Sequence, residues 1–290
     1  MTDIKHETAG QDEHVAPVEA WDAIAAQYDE HVAPGEADLA TAALRLAGLQ
    51  AGDTFLDVAA GTGGLSLPAA RLGAEVLATD WSPKMIERFE ARARVEGLEV
   101  EGRVMDCHAL DLPDDSYDVV GSQFGVMLVP DQARALREMV RVTKPGGHVL
   151  LIAYGDVARF EAFHVFLSAI QAVVPDFEGP AEDEPMLEFQ VADPEVLRQR
   201  LIDARLTDVT VDIRHEERIT VRTGQQLWDW TVGSNPIPGM LVADLTDTQR
   251  ADILRVLDGM LRERGDGDGS AVLTAPLNIG VGTKQGAVPE

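Results

Sequence analysis

Thr54-Phe55-Leu56-Asp57-Val58-Ala59-Ala60-Gly61-Thr62-Gly63-Gly64-Leu65-Ser66 is the stretch on which the fold turns. Thr54 to Ala59 is short, apolar and β-prone, and reads as a buried strand. Gly61 to Gly64 supplies a glycine-rich turn, and Leu65, Leu67 and Ala70 form the apolar side of a following helix. Strand, turn and helix in that order make a βα unit whose helix N-terminus presents unpaired N–H groups beyond the strand end.

Upstream, Leu39, Ala42, Ala43 and Leu46 fall at helical spacing and Gly48 stops that helix. Downstream the βα pattern repeats. A strand from Glu75 to Thr79 ends at Asp80, after which Ser82 can cap and Pro83 can begin a helix carrying Met85, Ile86, Phe89 and Ala93 on one face. Val100–Met105 and Tyr117–Ser122 read as two further buried strands, separated by the turn-rich Leu112-Pro113-Asp114-Asp115-Ser116. A helix over Gln132–Val142 is broken by Lys144-Pro145-Gly146-Gly147, which launches a strand over His148–Tyr154.

Such alternation calls for a parallel sheet covered by helices on both faces. Val209–Ile213 and the alternating Leu277, Ile279 and Val281 read as two more strands, pairing antiparallel at an edge. Pro276 is awkward in a central strand, so the last strand is expected to begin after it or to bulge there. The expected fold is α/β, Rossmann-like and doubly wound, with a mostly parallel seven-stranded sheet, an antiparallel last strand and helical lid insertions at about 155–190 and 222–265. Residues 1–19 lack periodicity and are expected to form a flexible arm before a single domain over 20–290. Asp12–Ala20 (DEHVAPVEA) nearly repeats in Asp29–Ala37 (DEHVAPGEA), a pair too short to signal a repeat architecture and read as a duplication without function, against a paired histidine site.

Bulk properties narrow the partners. The 290 residues carry a formal net charge of -26, which repels nucleic acid backbones and anionic membranes. Cys107 is the only cysteine, so no intramolecular disulfide or cysteine cluster is available, and a reducing cytoplasm is the expected location. No run approaches the ~20 apolar residues needed to span a bilayer, so membrane insertion is not expected.

Ligands of open α/β sheets sit beyond the carboxyl ends of the strands, and the informative residues fall there. Gly61 and Gly63 allow a ligand close to the backbone, while Asp57 can bond the turn's own amides. Asp80, 23 residues after Asp57, is placed to accept ribose hydroxyls, and Asp106 ends the next strand within reach of an adenine amine. Together they indicate a nucleoside ligand. The dinucleotide fingerprint expects Gly or Ala where this chain has Ser66, which disfavours NAD.

With Leu56–Gly63, Ala78-Thr79-Asp80-Trp81-Ser82-Pro83-Lys84-Met85, Met105–Leu110, Leu112–Val120 and Arg141–Gly147 in view, the sequence resembles the class I S-adenosylmethionine-dependent methyltransferases, especially the branch with quinone-biosynthesis and antibiotic-tailoring enzymes. The resemblance covers about Trp21 to Tyr154, with Ala59 standing where many members have the first glycine of the turn. It implies S-adenosylmethionine as cofactor, with Gly61 and Gly63 at the amino acid moiety, Asp80 at the ribose, Asp106 at the adenine, and Trp81, Cys107 and Met85 about the base. It further implies that Tyr28 folds over the cofactor and that Gln123 lies near the transferred methyl.

Methyl transfer chiefly requires positioning and exclusion of water, so a dedicated base is optional. His31 and His164 are candidate bases by location. No metal site is expected, because no His-x-x-x-His or supported carboxylate pair is present. The acceptor is expected to be a small hydrophobic or aromatic molecule enclosed by Phe160–Ile170 and by Leu227–Leu241, which carries Trp228 and Trp230. Nucleic acid is not an expected partner: Ser122-Gln123-Phe124-Gly125 lacks the tetrad of base-amine methyltransferases. The rival readings are an NAD-dependent oxidoreductase and a non-catalytic nucleoside-binding protein.

Overall fold

Phe55, Leu56 and Val58 are fully enclosed, which puts the quoted strand at the centre of the sheet. The computed structural model describes residues 16–177, 179, 186–265 and 269–286. The first half runs α1 (Val18–Gln27), α2 (Ala37–Leu46), β1 (Thr54–Val58), α3 (Ser66–Arg71), β2 (Glu75–Asp80), α4 (Pro83–Glu96), β3 (Val100–Val104), β4 (Tyr117–Gln123), α5 (Gln132–Val142) and β5 (Thr143–Tyr154). The second runs α6 (Glu161–Val173), α7 (Pro194–Asp203), β6 (Leu206–Val221), α8 (Gly224–Ser234), α9 (Pro236–Leu241), α10 (Asp247–Arg264) and β7 (Ala271–Lys284).

The seven strands are ordered β3-β2-β1-β4-β5-β7-β6. β1 to β5 pair in parallel, whereas β7 is antiparallel to both β5 and β6. The chain winds outward from β1 to β3 and then returns to lay β4 on the other side of β1, creating a switch point where a crevice opens. Ser82 caps α4 by accepting the Met85 amide at 3.1 Å, with Pro83 in the first turn and Gly97 left-handed at the end.

Several expectations are corrected. Helix α1 begins at Val18, inside the expected arm, because its inner side packs on α4 and α8; residues 1–15 lie outside the described residues. β3 is not buried but is the edge strand, with Val104 54% exposed. Lys144–Gly147 does not separate helix from strand: Thr143 already pairs with Tyr117, and the register shifts before His148. The strand expected over Val209–Ile213 extends to Val221, since Glu217, Ile219 and Val221 alternate inward opposite Ala271–Ala275.

Pro276 lies inside β7, opposite Glu216, without ending the strand. Its carbonyl accepts the Gly155 amide at 2.7 Å, so its own N atom faces the same side, just past Tyr154 where the β5 ladder ends. The ladder to β6 loses no bond there, and the donor that proline lacks would face Gly155, beyond the end of the β5 strand. Beside the sheet, α6, α8 and α10 gather Phe166, Trp228, Leu257 and Leu273 into a second apolar cluster. No helix of the described residues is long and apolar enough to cross a membrane.

Candidate functional site

A cleft opens at the carboxyl ends of β1, β2 and β4. Tyr28, Asp57, Ala59, Gly61, Asp80, Trp81, Met85, Cys107 and Gln123 all line it. The first turn is held in place by Asp80, whose two oxygens accept the Gly61 amide and the Ser82 amide at 2.8 Å each. Burial raises the Asp80 carboxyl to about 6, while these amide bonds pull it back down.

Asp57 serves a different end from the one its position suggested. One of its oxygens accepts the Ser66 hydroxyl at 2.6 Å, at the start of α3, and not the turn amides. The other, Oδ1, is buried without a partner among the described residues, and burial raises the carboxyl to about 7. Ser66, which stood against the dinucleotide fingerprint, is thus part of the helix-to-strand packing.

The two glycines divide the work. Gly61, at φ +55, has only the Tyr28 ring near its missing side chain, at 3.8 Å, so its backbone is open to a ligand. Gly63 does not line the cleft: at φ +95, an added Cβ would sit 2.5 Å from the Phe89 ring, so this glycine serves core packing. Ala59, at φ +54, bears the left-handed backbone without being glycine, and its methyl fits because Gly125 has no side chain; a Cβ there would lie 2.5 Å away. Phe124 is a second positive-φ residue (φ 57) on the cleft wall, stacked on Tyr154 at 4.7 Å.

Asp106 is also absent from the lining. Its side chain is 56% exposed and accepts both the His108 amide at 2.9 Å and His108 Nδ1 at 2.7 Å. Asp106, Cys107 and His108 are the one triplet among the described residues with potential metal-ligating atoms close together. The carboxylate is engaged by its histidine neighbour, and burial pushes the Cys107 thiol up to about 12. Neither histidine candidate reaches the cleft: His31 is exposed, and His164 turns its Nε2 to the Val157 carbonyl at 2.9 Å. Their positions followed the chain correctly, but helix rotation decided where the rings point.

Sequence reasoning missed the carboxyls. Glu36, immediately before α2 in the second copy of the duplicated nonapeptide, lines the cleft at 2% exposure and accepts the Tyr28 hydroxyl at 2.8 Å. Burial raises it to about 7. A Cβ on Gly64 would come within 2.7 Å of Glu36 Oε2 and 3.2 Å of Gln123 Nε2, so the last glycine of the turn makes room for both side chains. Asp29, of the same copy, meets Arg88 and Arg92, and Arg92 donates to Thr62 in the turn at 2.9 Å. The duplicated segment therefore braces the site, a role that no pattern in its own residues announces. Deeper in the wall, Tyr154 donates to Glu217 at 3.1 Å, and burial lifts Glu217 to about 8.

Beside the cleft, a narrow pocket is lined by Tyr154, Phe160, Phe163, Phe189 and Trp230, with Glu188 among them. Ser234 lines both spaces. Part of the loop expected over Pro175–Pro185 lies outside the described residues.

The cleft meets the demands of a polar nucleoside. Asp57 Oδ1 and both amide atoms of Gln123 are buried without partners among the described residues, and all face one cavity bounded by an open glycine turn.

Comparison with known proteins agrees with this geometry. Residues 56–151 match the family described as a methyltransferase domain. A Mycobacterium tuberculosis protein of unassigned function is 44% identical over 108 residues, covering 37% of this chain but only 39% of that relative. A ubiquinone/menaquinone biosynthesis C-methyltransferase of Chromobacterium violaceum is 30% identical over 217 residues, 70% of this chain and 89% of its own length. The crystal structure of a putative methyltransferase from Bacillus halodurans shares the fold with a TM-score of 0.54 at 16% identity, covering 85% of this chain and 98% of that one.

Proposed function

Because the chain belongs to the class I S-adenosylmethionine-dependent methyltransferases, in the branch of the quinone-biosynthesis C-methyltransferases, we propose that it methylates a small hydrophobic or aromatic acceptor. S-Adenosylmethionine is the family's cofactor and, when bound, supplies an electrophilic methyl group on its sulfonium. The observation that carries the reading is the junction at Ser234 between the cleft with unpartnered Asp57 and Gln123 atoms and a pocket walled by aromatic rings.

Each residue has a definite task in this reading. Asp80 has acceptor capacity beyond its two amide bonds and takes the ribose hydroxyls. The exposed backbone at Gly61 meets the amino acid moiety, and Met85 and Cys107 flank the base with Trp81 as an outer cover. Tyr28, fixed by Glu36, closes over the site, and Gln123 presents its amide toward the acceptor side. Phe124 and Leu128 exclude water from the reacting atoms, and the rings of Phe160, Phe163 and Trp230 orient the acceptor. Asp106 bears on the adenine only from the rim, beside Cys107.

Calorimetric titration with S-adenosylhomocysteine and with NADH tests the cofactor reading. Tight binding of the first and none of the second is expected. NADH binding alone overturns it in favour of hydride transfer. Turnover with phenolic and quinone-like acceptors then separates an enzyme from a nucleoside-binding protein.

A further inference from the structure

Glu188 is the exception among the polar groups of the aromatic pocket. The Thr231 hydroxyl donates to the Leu227 carbonyl at 2.8 Å, the Ser234 hydroxyl donates to the Thr231 carbonyl at 2.8 Å, and Asn235 Oδ1 accepts the Ile237 amide at 2.8 Å. The Tyr154 hydroxyl donates its hydrogen bond to Glu217. Each of these side chains makes at least one hydrogen bond within the protein. Glu188, only 4% exposed, is left with Oε2 buried and without a partner among the described residues, in a pocket whose lining includes five aromatic rings.

A buried carboxyl with a vacant acceptor demands a donor, and an aromatic wall narrows which donor satisfies it. A neutral hydroxyl fills one lone pair but leaves the carboxylate charge uncompensated. An ammonium supplies up to three N–H groups and a compensating charge, and ring faces attract the same cation. The surrounding field agrees, the chain carrying a net charge of -26.

The geometry points to an acceptor that is an apolar molecule bearing a protonated amine, with its ammonium docked on Glu188 and its hydrocarbon body against Phe160, Phe163 and Trp230. This rests on the methyltransferase reading for the identity of the neighbouring cleft. Glu188 acts as the specificity residue of the pocket and takes no part in holding the cofactor. Burial raises its carboxyl above the ordinary range in the empty pocket, and a docked ammonium reverses that shift.

The test loads the full chain with S-adenosylhomocysteine and titrates benzylamine, phenethylamine and tryptamine, each against its alcohol counterpart, at a pH where the amines are charged. At least one amine is expected to bind tenfold or more tighter than its alcohol. Glu188→Gln is expected to bring the pair within about threefold while leaving S-adenosylhomocysteine affinity within twofold, which also shows that the variant is folded. Equal binding of amines and alcohols, no binding of any amine to the loaded protein, or a preference that survives in Glu188→Gln overturns the proposal. Failure of S-adenosylhomocysteine to bind the unaltered protein is a distinct result, and sinks the cofactor reading instead.

Discussion

Asp80 and Glu36 line the same cleft, yet they are held by different means. Asp80 is met by backbone amides from its own strand end and from the turn of the neighbouring unit. Glu36 is met by a phenol hydroxyl from a separate helical turn, and Glu217 of β6 and Tyr154 at the end of β5 repeat that arrangement. Backbone amides are obligatory donors wherever strands end at a helix start, so the first kind of site is built into the topology. The second kind exists only when distant elements meet, and its carboxyls remain poorly solvated and hold their protons.

The sharpest way to break the amide-built half is Gly63→Ala. A Cβ 2.5 Å from the Phe89 ring on a backbone at φ +95 is expected to cost about 3 kcal/mol, read as a drop in chemical-denaturation stability. Asp80→Ala removes both the amide clamp and the ribose acceptor. Cofactor affinity is expected to fall at least tenfold, a charged hydrogen bond being worth about 1.5–3 kcal/mol; unchanged affinity by calorimetry defeats the assignment.

On the phenol-built half, Tyr28→Phe leaves a Glu36 oxygen without its donor and is expected to destabilise by about 1–2 kcal/mol, with a lowered melting temperature. A pH series reads the buried acids of both halves together, since burial raises Asp57 and Asp80 as well. Burial lifts Glu36 and Glu217 from an ordinary value of 4.5 to about 7 and 8, so the folded chain keeps protons the unfolded chain has released. Their contribution is fully present below 4.5 and is lost as pH rises toward 8. Asp118, held near 2 by Lys144 and Thr54 despite partial desolvation, has already made its contribution before that window opens. The cofactor-free protein is therefore expected to melt at lower temperature at alkaline than at mildly acidic pH, with a shallower decline in Glu217→Gln. A flat profile contradicts the burial of these acids.

The smallest effect is expected at Ala59→Gly, which relieves a left-handed alanine and stabilises by up to about 1 kcal/mol. Loss of stability on that change reveals that the Ala59 methyl contributes more by packing against Gly125 than its backbone costs.

The parallel core of the fold was legible because its signals are local. An apolar strand, a glycine turn and a helix follow one another from Thr54 to Arg71, and the same logic carries through Asp80, the capping Ser82 and Pro83. Nine of the residues named from sequence meet in one cleft for that reason, since strand ends in a parallel sheet converge on the switch point. Gly63 and Asp106 share the same motifs but turn elsewhere, because the direction of a side chain depends on what packs against it.

What the sequence determined by itself was the order of elements, the switch point and the turn chemistry, all set by periodicity and by backbone preferences over a few residues. Only the tertiary structure decided that Pro276 sits harmlessly where a neighbouring strand has ended, that Glu36, Glu188 and Glu217 are buried, and that the two histidines face away. A carboxylate in a chain looks the same whether it ends in water or among rings. Its free energy is fixed by long-range packing, and that packing is not written in its neighbours.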